Sequence, residues 1–164
     1  MNKKDFGKFY DEHLDKIYRF VFFRVGRNHE LAQDLTSEIF VKALTHFYSY
    51  DPKISVSAWI YTIARNHLAN YFRDVKSGVP LEEIENSLQF FHDGVSHMEK
   101  SDVAGRVRTA LLKLAPEKRR MVEMKYLEGF SYAEIAEIVG GTEGSVKVAS
   151  HRALKELHRF LAAP

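Results

Sequence analysis

Residues 131–157 read SYAEIAEIVGGTEGSVKVASHRALKEL. Ser131 and Glu134 have the S-x-x-E spacing of a capping box, in which each side chain satisfies an orphan amide of the other residue. Ala133, Ile135, Ala136 and Val139 then supply an apolar side. Gly140 and Gly141 stop that helix after two turns, because glycine tolerates the left-handed conformation helix ends often need. Thr142 is placed to cap a second helix, with its hydroxyl over the first turn. From there Val146, Ser150, Ala153 and Leu157 fall on one stripe at helical spacing, with Ala149 at its edge. The opposite side carries Gly144, Val148, His151, Arg152 and Lys155, flanked by Ser145 and Lys147.

A short helix, a glycine turn and a second helix with a small-residue underside make the helix-turn-helix pattern. In that motif the second helix enters the DNA major groove, and its N-terminal residues reach base edges. Lys147, Arg152 and Lys155 suit phosphate or guanine. Ser145 and His151 can donate or accept, and Val148 suits a thymine methyl. A plain helical hairpin with a solvated basic face fits the same spacing, so the rest of the chain has to decide.

Working outward, helical periodicity continues in both directions. A first helix is expected from about Phe6 to Val25, with Phe9, Leu14, Ile17, Tyr18 and Val21 among its apolar positions. After a turn at Gly26 and Asn28, a second runs from about Glu30 to Tyr48. Leu31, Leu35, Ile39, Ala43 and Phe47 form its inner ridge; Asp34, Glu38 and Lys42 form a polar ridge at i, i+4 spacing. Asp51-Pro52 breaks it, and a third helix runs from about Val56 to Asp74 on a stripe of Ile60, Ile63, Ala64, His67 and Tyr71. Residues 1–74 thus read as one helical domain. Residues 75–102 lose the periodicity and read as a flexible acidic linker, with a short helix near Leu81–Leu88. A second helical domain, residues 103–164, opens with Val107, Ala110, Leu111 and Leu114. Pro116 starts a helix running from Glu117 to Leu127, and the helix-turn-helix follows. The fold class is all-α: two small helical domains joined by a linker.

The 164 residues carry a net charge of +2, unevenly spread: +2 over residues 1–74, −4 over 75–102 and +4 over 103–164. Basic blocks attract nucleic acid by displacing counterions. The chain has no cysteine, which excludes disulfides, thiolate metal sites and thiol redox chemistry. The N-terminus lacks a signal-like apolar run, and nothing is long enough to span a bilayer; a cytoplasmic protein is expected. His92 and His97, with Asp93 between them, are the one loose candidate for a metal. No nucleophile elbow, phosphate loop, HExxH or supported carboxylate pair is present. The sequence points to a binding protein without a cofactor rather than an enzyme.

Three segments carry a family resemblance. DLTSEIFVKAL (Asp34–Leu44) resembles the second helix of bacterial sigma factors, and SAWIYTIARNHLANYFRD (Ser57–Asp74) resembles their promoter-reading helix. LKLAPEKRRMVEMKYLEGFSYAEIAEIVGGTEGSVKVASHRALKEL, from Leu112 to Leu157, resembles their C-terminal domain. The order, the spacing and the short connector are similar to those of the extracytoplasmic-function (ECF) group of the sigma-70 family.

The resemblance implies an alternative sigma factor that binds core RNA polymerase and directs initiation at promoter DNA. It implies polymerase docking through the ridge of Gln33, Asp34, Ser37, Glu38 and Lys42. It assigns opening and holding of the downstream promoter element to the Tyr50–Ser55 loop with Trp59, Tyr61, Arg65, Asn66, Asn70 and Arg73. Trp59 fits either core packing or base contact, whereas His67 and Tyr71 fall on the core stripe. It assigns the upstream element to Ser145, Lys147, Val148, His151, Arg152 and Lys155. The acidic linker would thread toward the polymerase active centre, as a mimic of nucleic acid or as a plain spacer. An anti-sigma protein, often membrane-bound in this group, is a further candidate partner.

The chain departs from the family pattern in several places. Ala149 stands where an Arg is frequent, Ser150 where a bulky aliphatic residue is, and Asn70 where an Asp is. Thr142 lies where a proline is common nearby, and the basic cluster after the third helix is reduced to Arg73 and Lys76. The promoter sequence therefore does not carry over. The competing class, a stand-alone helix-turn-helix regulator, would normally show a strand–helix alternation in its N-terminal half, and residues 1–74 show none.

Overall fold

The structure is a computed structural model that describes residues 3–75 and 103–162. The chain divides into two compact units, Met1–Glu85 and Asn86–Pro164. Every regular element among the described residues is helical.

The N-terminal unit is a bundle of three helices in mutual contact: α1 (Lys3–Arg24), α2 (His29–His46) and α3 (Val56–Val75). Asn28 starts α2, its side chain accepting from the Leu31 amide at 3.1 Å. A single 3-10 turn, Phe47–Ser49, extends α2, so the α-helix itself ends two residues before the expected Tyr48. The loop that follows is built locally. Asp51 Oδ1 accepts from the Lys53 amide and Asp51 O from the Ile54 amide, both at 3.0 Å. Ser55 Oγ accepts from Ala58 N, capping α3.

The bundle core is formed by Ile17, Phe20 and Val21 of α1, Ala32, Leu35, Ile39, Phe40 and Ala43 of α2, and Ile60, Tyr61, Ala64, Leu68 and Phe72 of α3. This is wider than the expected stripes. On α3, Tyr61, Leu68 and Phe72 are inside, while Ile63 and Tyr71 are half-buried. The reason is that α3 packs on both α1 and α2, so the buried arc is broader than one ridge. Leu14, Tyr18 and Leu31 are also half-buried rather than core.

The C-terminal unit contains α4 (Val103–Leu112), α5 (Pro116–Val122), a π-helical turn (Glu123–Leu127), α6 (Tyr132–Val139) and α7 (Glu143–Ala162). Pro116 begins α5, where its missing N–H costs nothing. The buried Arg119 guanidinium turns back and donates to the Leu112 and Leu114 carbonyls at the C-terminal end of α4. The expected helix to Leu127 is therefore two pieces: beyond Val122 it widens, with Glu128 N donating to Glu123 O at 2.9 Å. The wider turn leaves both Glu123 and Met124 buried.

Helix α7 packs on α4, α5 and α6. Its Ala153 and Leu157 join Ala110, Leu111, Leu114 and Val122 in one core cluster. Helix α6 buries Ile135 and Ala136, while Ala133 and Val139 are exposed, because a two-turn helix resting on α7 and the π turn buries one narrow face.

The expected 74/75 boundary falls inside α3, which runs on to Val75; the rest of the expected linker, the short helix expected near Leu81–Leu88 and the His92/His97 pair lie outside the described residues. Among the described residues no helix is long and apolar enough to cross a membrane, and no group of three or more ligating side chains is placed to hold a metal ion.

Candidate nucleic-acid and polymerase interface

The turn between α6 and α7 is fixed by its own side chains. Ser131 Oγ accepts from Glu134 N at 3.2 Å, and Glu134 Oε2 accepts from Ser131 N at 2.8 Å, so the capping box is complete. Gly140 takes φ 77°, the left-handed helix end that a side chain would strain. Gly140 and Gly141 both donate to Ala136 O at 2.9 Å. Thr142 Oγ1 accepts from Ser145 N at 3.2 Å and starts α7.

Helix α7 has two faces of opposite character. Val146, Ser150, Ala153 and Leu157 are buried, whereas Lys147, Val148, His151, Arg152 and Lys155 are exposed. Val148 is 51% exposed although apolar, which suits a surface read by something outside the unit. Ser145 is exposed but engaged: its hydroxyl accepts from Thr142 N at 3.1 Å and donates to Thr142 O at 2.8 Å. It is a capping residue first, with one lone pair left over.

A further cluster joins the π turn to the start of α6 and has no signal in the sequence pattern. Lys125 Nζ sits 4.5 Å from the centre of the Tyr132 ring, and the Tyr126 and Tyr132 hydroxyls are 3.5 Å apart. The Tyr132 contact, with some burial, pushes the Tyr126 phenol above its ordinary pKa, so the Tyr126 hydroxyl remains a donor at neutral pH. An ammonium and two phenols together match the acceptor oxygens of phosphate. Tyr132 follows Lys125 by seven positions and Tyr126 by six, with a helix break between them, so pattern reading passes over the cluster.

In the N-terminal unit, Asn66, Asn70 and Arg73 are exposed on one side of α3, and Arg65 is half-buried beside them. Arg73 Nη1 donates to Asn70 Oδ1 at 3.2 Å, a contact that aligns both groups. Trp59 is half-buried in an aromatic cluster, with ring centres 5.7 Å from Phe9, 6.3 Å from Phe47 and 5.1 Å from Tyr50. It is anchored by packing and keeps part of its surface open. Tyr61 corrects the sequence expectation: it is 4% exposed and packs on Phe20 at 4.8 Å. The α1 contact turns this position inward, so Tyr61 cannot meet a base without unpacking the bundle.

The ridge on α2 also differs from the expected one. Gln33, Asp34 and Ser37 are exposed, with Ser37 Oγ donating back to Gln33 O. Glu38 and Lys42 turn toward buried His67 of α3 rather than standing free. Lys42 Nζ lies 2.7 Å from His67 Nδ1, and Glu38 Oε2 lies 2.9 Å from Nε2. An ammonium can only donate, so Nδ1 is the acceptor and the neutral ring carries its proton on Nε2, facing Glu38. Burial, reinforced by Lys42 and opposed by Glu38, holds His67 below its ordinary pKa. Glu38 and Lys42 remain exposed, and beside them the surface is apolar: Val41, Leu44 and Tyr48 are 64%, 42% and 65% exposed. Asp34, Ser37, Val41, Leu44 and Tyr48 follow one another at three- and four-residue steps, so they share a face.

The sigma-70 region 2 model matches residues 9–77, and the sigma-70 region 4 model matches residues 104–157. The chain is 34% identical over 162 residues to the ECF RNA polymerase sigma factor BldN of Streptomyces coelicolor, covering 95% of this chain and 60% of BldN's length. It is 31% identical over 159 residues to the RNA polymerase sigma factor YlaC of Bacillus subtilis, covering 94% of this chain and 88% of YlaC. The sigma factor RpoE of Bartonella quintana, solved with the anti-sigma factor NepR, is similar with a TM-score of 0.56 and 25% identity, over 96% of this chain and 97% of RpoE. CnrH, solved with the cytosolic domain of CnrY, shares the fold at a TM-score of 0.56 and 22% identity, over 98% of this chain and 89% of CnrH.

Proposed function

Because this chain belongs to the sigma-70 family, as a member of its extracytoplasmic-function group, we propose how its two units divide the work of an alternative RNA polymerase sigma factor. It binds core RNA polymerase and directs promoter-specific initiation, and it does so in the cytoplasm.

The C-terminal unit takes the upstream promoter element as duplex. Helix α7 enters the major groove with Lys147, Val148, His151, Arg152 and Lys155 outward, and Ser145 holds its start. Lys125, Tyr126 and Tyr132 take phosphates beside α6, the helix that crosses the backbone in this motif. The N-terminal unit takes the downstream element as opened strand. Single strands bind where aromatic rings and cations offer more than a duplex can use. The exposed edge of Trp59, together with Arg65, Asn66, Asn70 and Arg73, supplies that surface. Polymerase docks on the outward face of α2, at Gln33, Asp34 and Ser37 and along the apolar continuation through Val41 and Leu44. Glu38 and Lys42 belong to the clamp on His67 and hold α2 against α3. An anti-sigma protein acting on this chain would cover the α2 face.

The observation that carries the division of labour is the two-faced α7, basic and open outside, small and buried inside, joined by a rigid glycine turn to α6. Co-purification with core polymerase tests it against the stand-alone regulator. A sigma factor forms a stoichiometric complex with core enzyme that survives gel filtration. A free regulator elutes alone and binds duplex DNA without polymerase.

A further inference from the structure

Gly144 is the second residue of α7, and neither its backbone nor its surroundings require glycine. It is not among the glycines with positive φ, and a Cβ built on it would meet nothing within 4 Å. Glycine is the weaker helix former compared with alanine, since it loses more backbone freedom and packs nothing. Gly7 in α1 is open in the same way, with nothing within 4 Å of a built Cβ. Open space alone therefore identifies no role.

What distinguishes Gly144 is the face it lies on. Val148 follows it by four residues and Arg152 by eight, so the three share the outward side of α7. Glycine and an exposed valine form a low, uncharged strip there, bordered by Lys147 and His151. Nothing among the described residues of the C-terminal unit covers the strip, and the long basic side chains beside it can reach base edges and phosphates when the helix axis is close to them. We propose that Gly144 is a close-approach residue: its missing side chain lets the first turn of α7 seat directly on the bases of duplex DNA, and that depth brings Lys147 and Arg152 within reach. This rests on α7 as the recognition helix. A methyl group at 144 would lift the helix start and loosen every contact that follows.

The test uses the full chain bound to core polymerase and a duplex selected from a random-sequence pool by the wild-type holoenzyme. Gly144→Ala, Gly7→Ala and Arg152→Ala are compared for duplex affinity, core affinity and thermal midpoint. Gly144→Ala is expected to bind the duplex about tenfold more weakly or worse, with core affinity unchanged and the thermal midpoint equal or higher. Gly7→Ala shows the same midpoint behaviour and wild-type duplex affinity. If Gly144→Ala keeps wild-type duplex affinity while Arg152→Ala loses it, the close-approach role is overturned and the recognition helix stands. If neither changes, both fall. A Gly144→Ala protein that loses duplex affinity together with thermal stability also overturns the role, because the glycine would then be structural.

Discussion

Ser150 is fully buried on the underside of α7, at 0% exposure, and its hydroxyl has no hydrogen-bond partner among the described residues. It sits on the same stripe as Val146, Ala153 and Leu157, where an apolar residue would be expected. A buried hydroxyl without a partner costs about 1–3 kcal/mol relative to its hydrated state. Serine is also a weaker helix former than alanine, by up to about 0.5 kcal/mol. Ser150→Ala removes both costs and gives up the packing of one oxygen atom, a void smaller than a methyl group, worth less than about 1 kcal/mol. The net expectation is a gain of about 1 kcal/mol. For a unit of this size that corresponds to a rise in midpoint of about 4–8 °C. Circular dichroism melting of the full chain measures it, and hydrogen exchange at the α7 amides assigns the gain to the C-terminal unit. Duplex DNA affinity should not change, since Ser150 faces away from the outward side. A midpoint that stays put or falls would refute the reasoning and mean that the hydroxyl is satisfied in solution.

The remaining predictions concern the two interfaces and the His67 clamp. Arg152→Ala and Lys147→Ala should each reduce transcription from the cognate promoter about tenfold in a run-off assay while core binding stays normal. Val41→Glu, which puts a charge on the exposed apolar face of α2, should weaken core binding about tenfold or more without lowering the thermal midpoint, as read by competition binding. His67 is held below its ordinary value of 6.5 chiefly by burial, so the unfolded chain binds more protons than the folded one in that window. The stability that follows from it is complete above pH 6.5 and declines as pH falls toward the folded-state value. Equilibrium denaturation across that range should show this slope, and His67→Gln should flatten it.

Local signals survived the step from sequence to structure best. Ser131, Glu134, Gly140 and Thr142 act within four residues of themselves, so their spacing already states the bond they make. The buried stripe of α7 was equally plain, because a long helix packed on one side shows its phase clearly. On α3, Tyr61 is buried where the sequence suggests an open base contact, and Tyr71 is half-buried where the sequence suggests core. A helix pressed between two neighbours buries a broad arc, and the edges of that arc depend on where the neighbours lie. The Lys42–His67 contact spans 25 positions in the sequence, and no periodicity within α2 could reveal that Glu38 and Lys42 reach across to a buried histidine of α3. The π turn at Glu123–Leu127 and the cluster that its Lys125 and Tyr126 make with Tyr132 of α6 are hidden for a related reason: a widened turn breaks the 3.6-residue spacing by which a helix is recognised.

The most direct measurement is the position of the first transcribed nucleotide. Purified core polymerase is supplied with genomic DNA fragments, with and without this chain, and RNA 5′ ends are mapped. A sigma factor produces start sites that core enzyme alone never uses, and Arg152→Ala depletes those same sites. Start sites that are identical with and without the chain would contradict its role as a sigma factor.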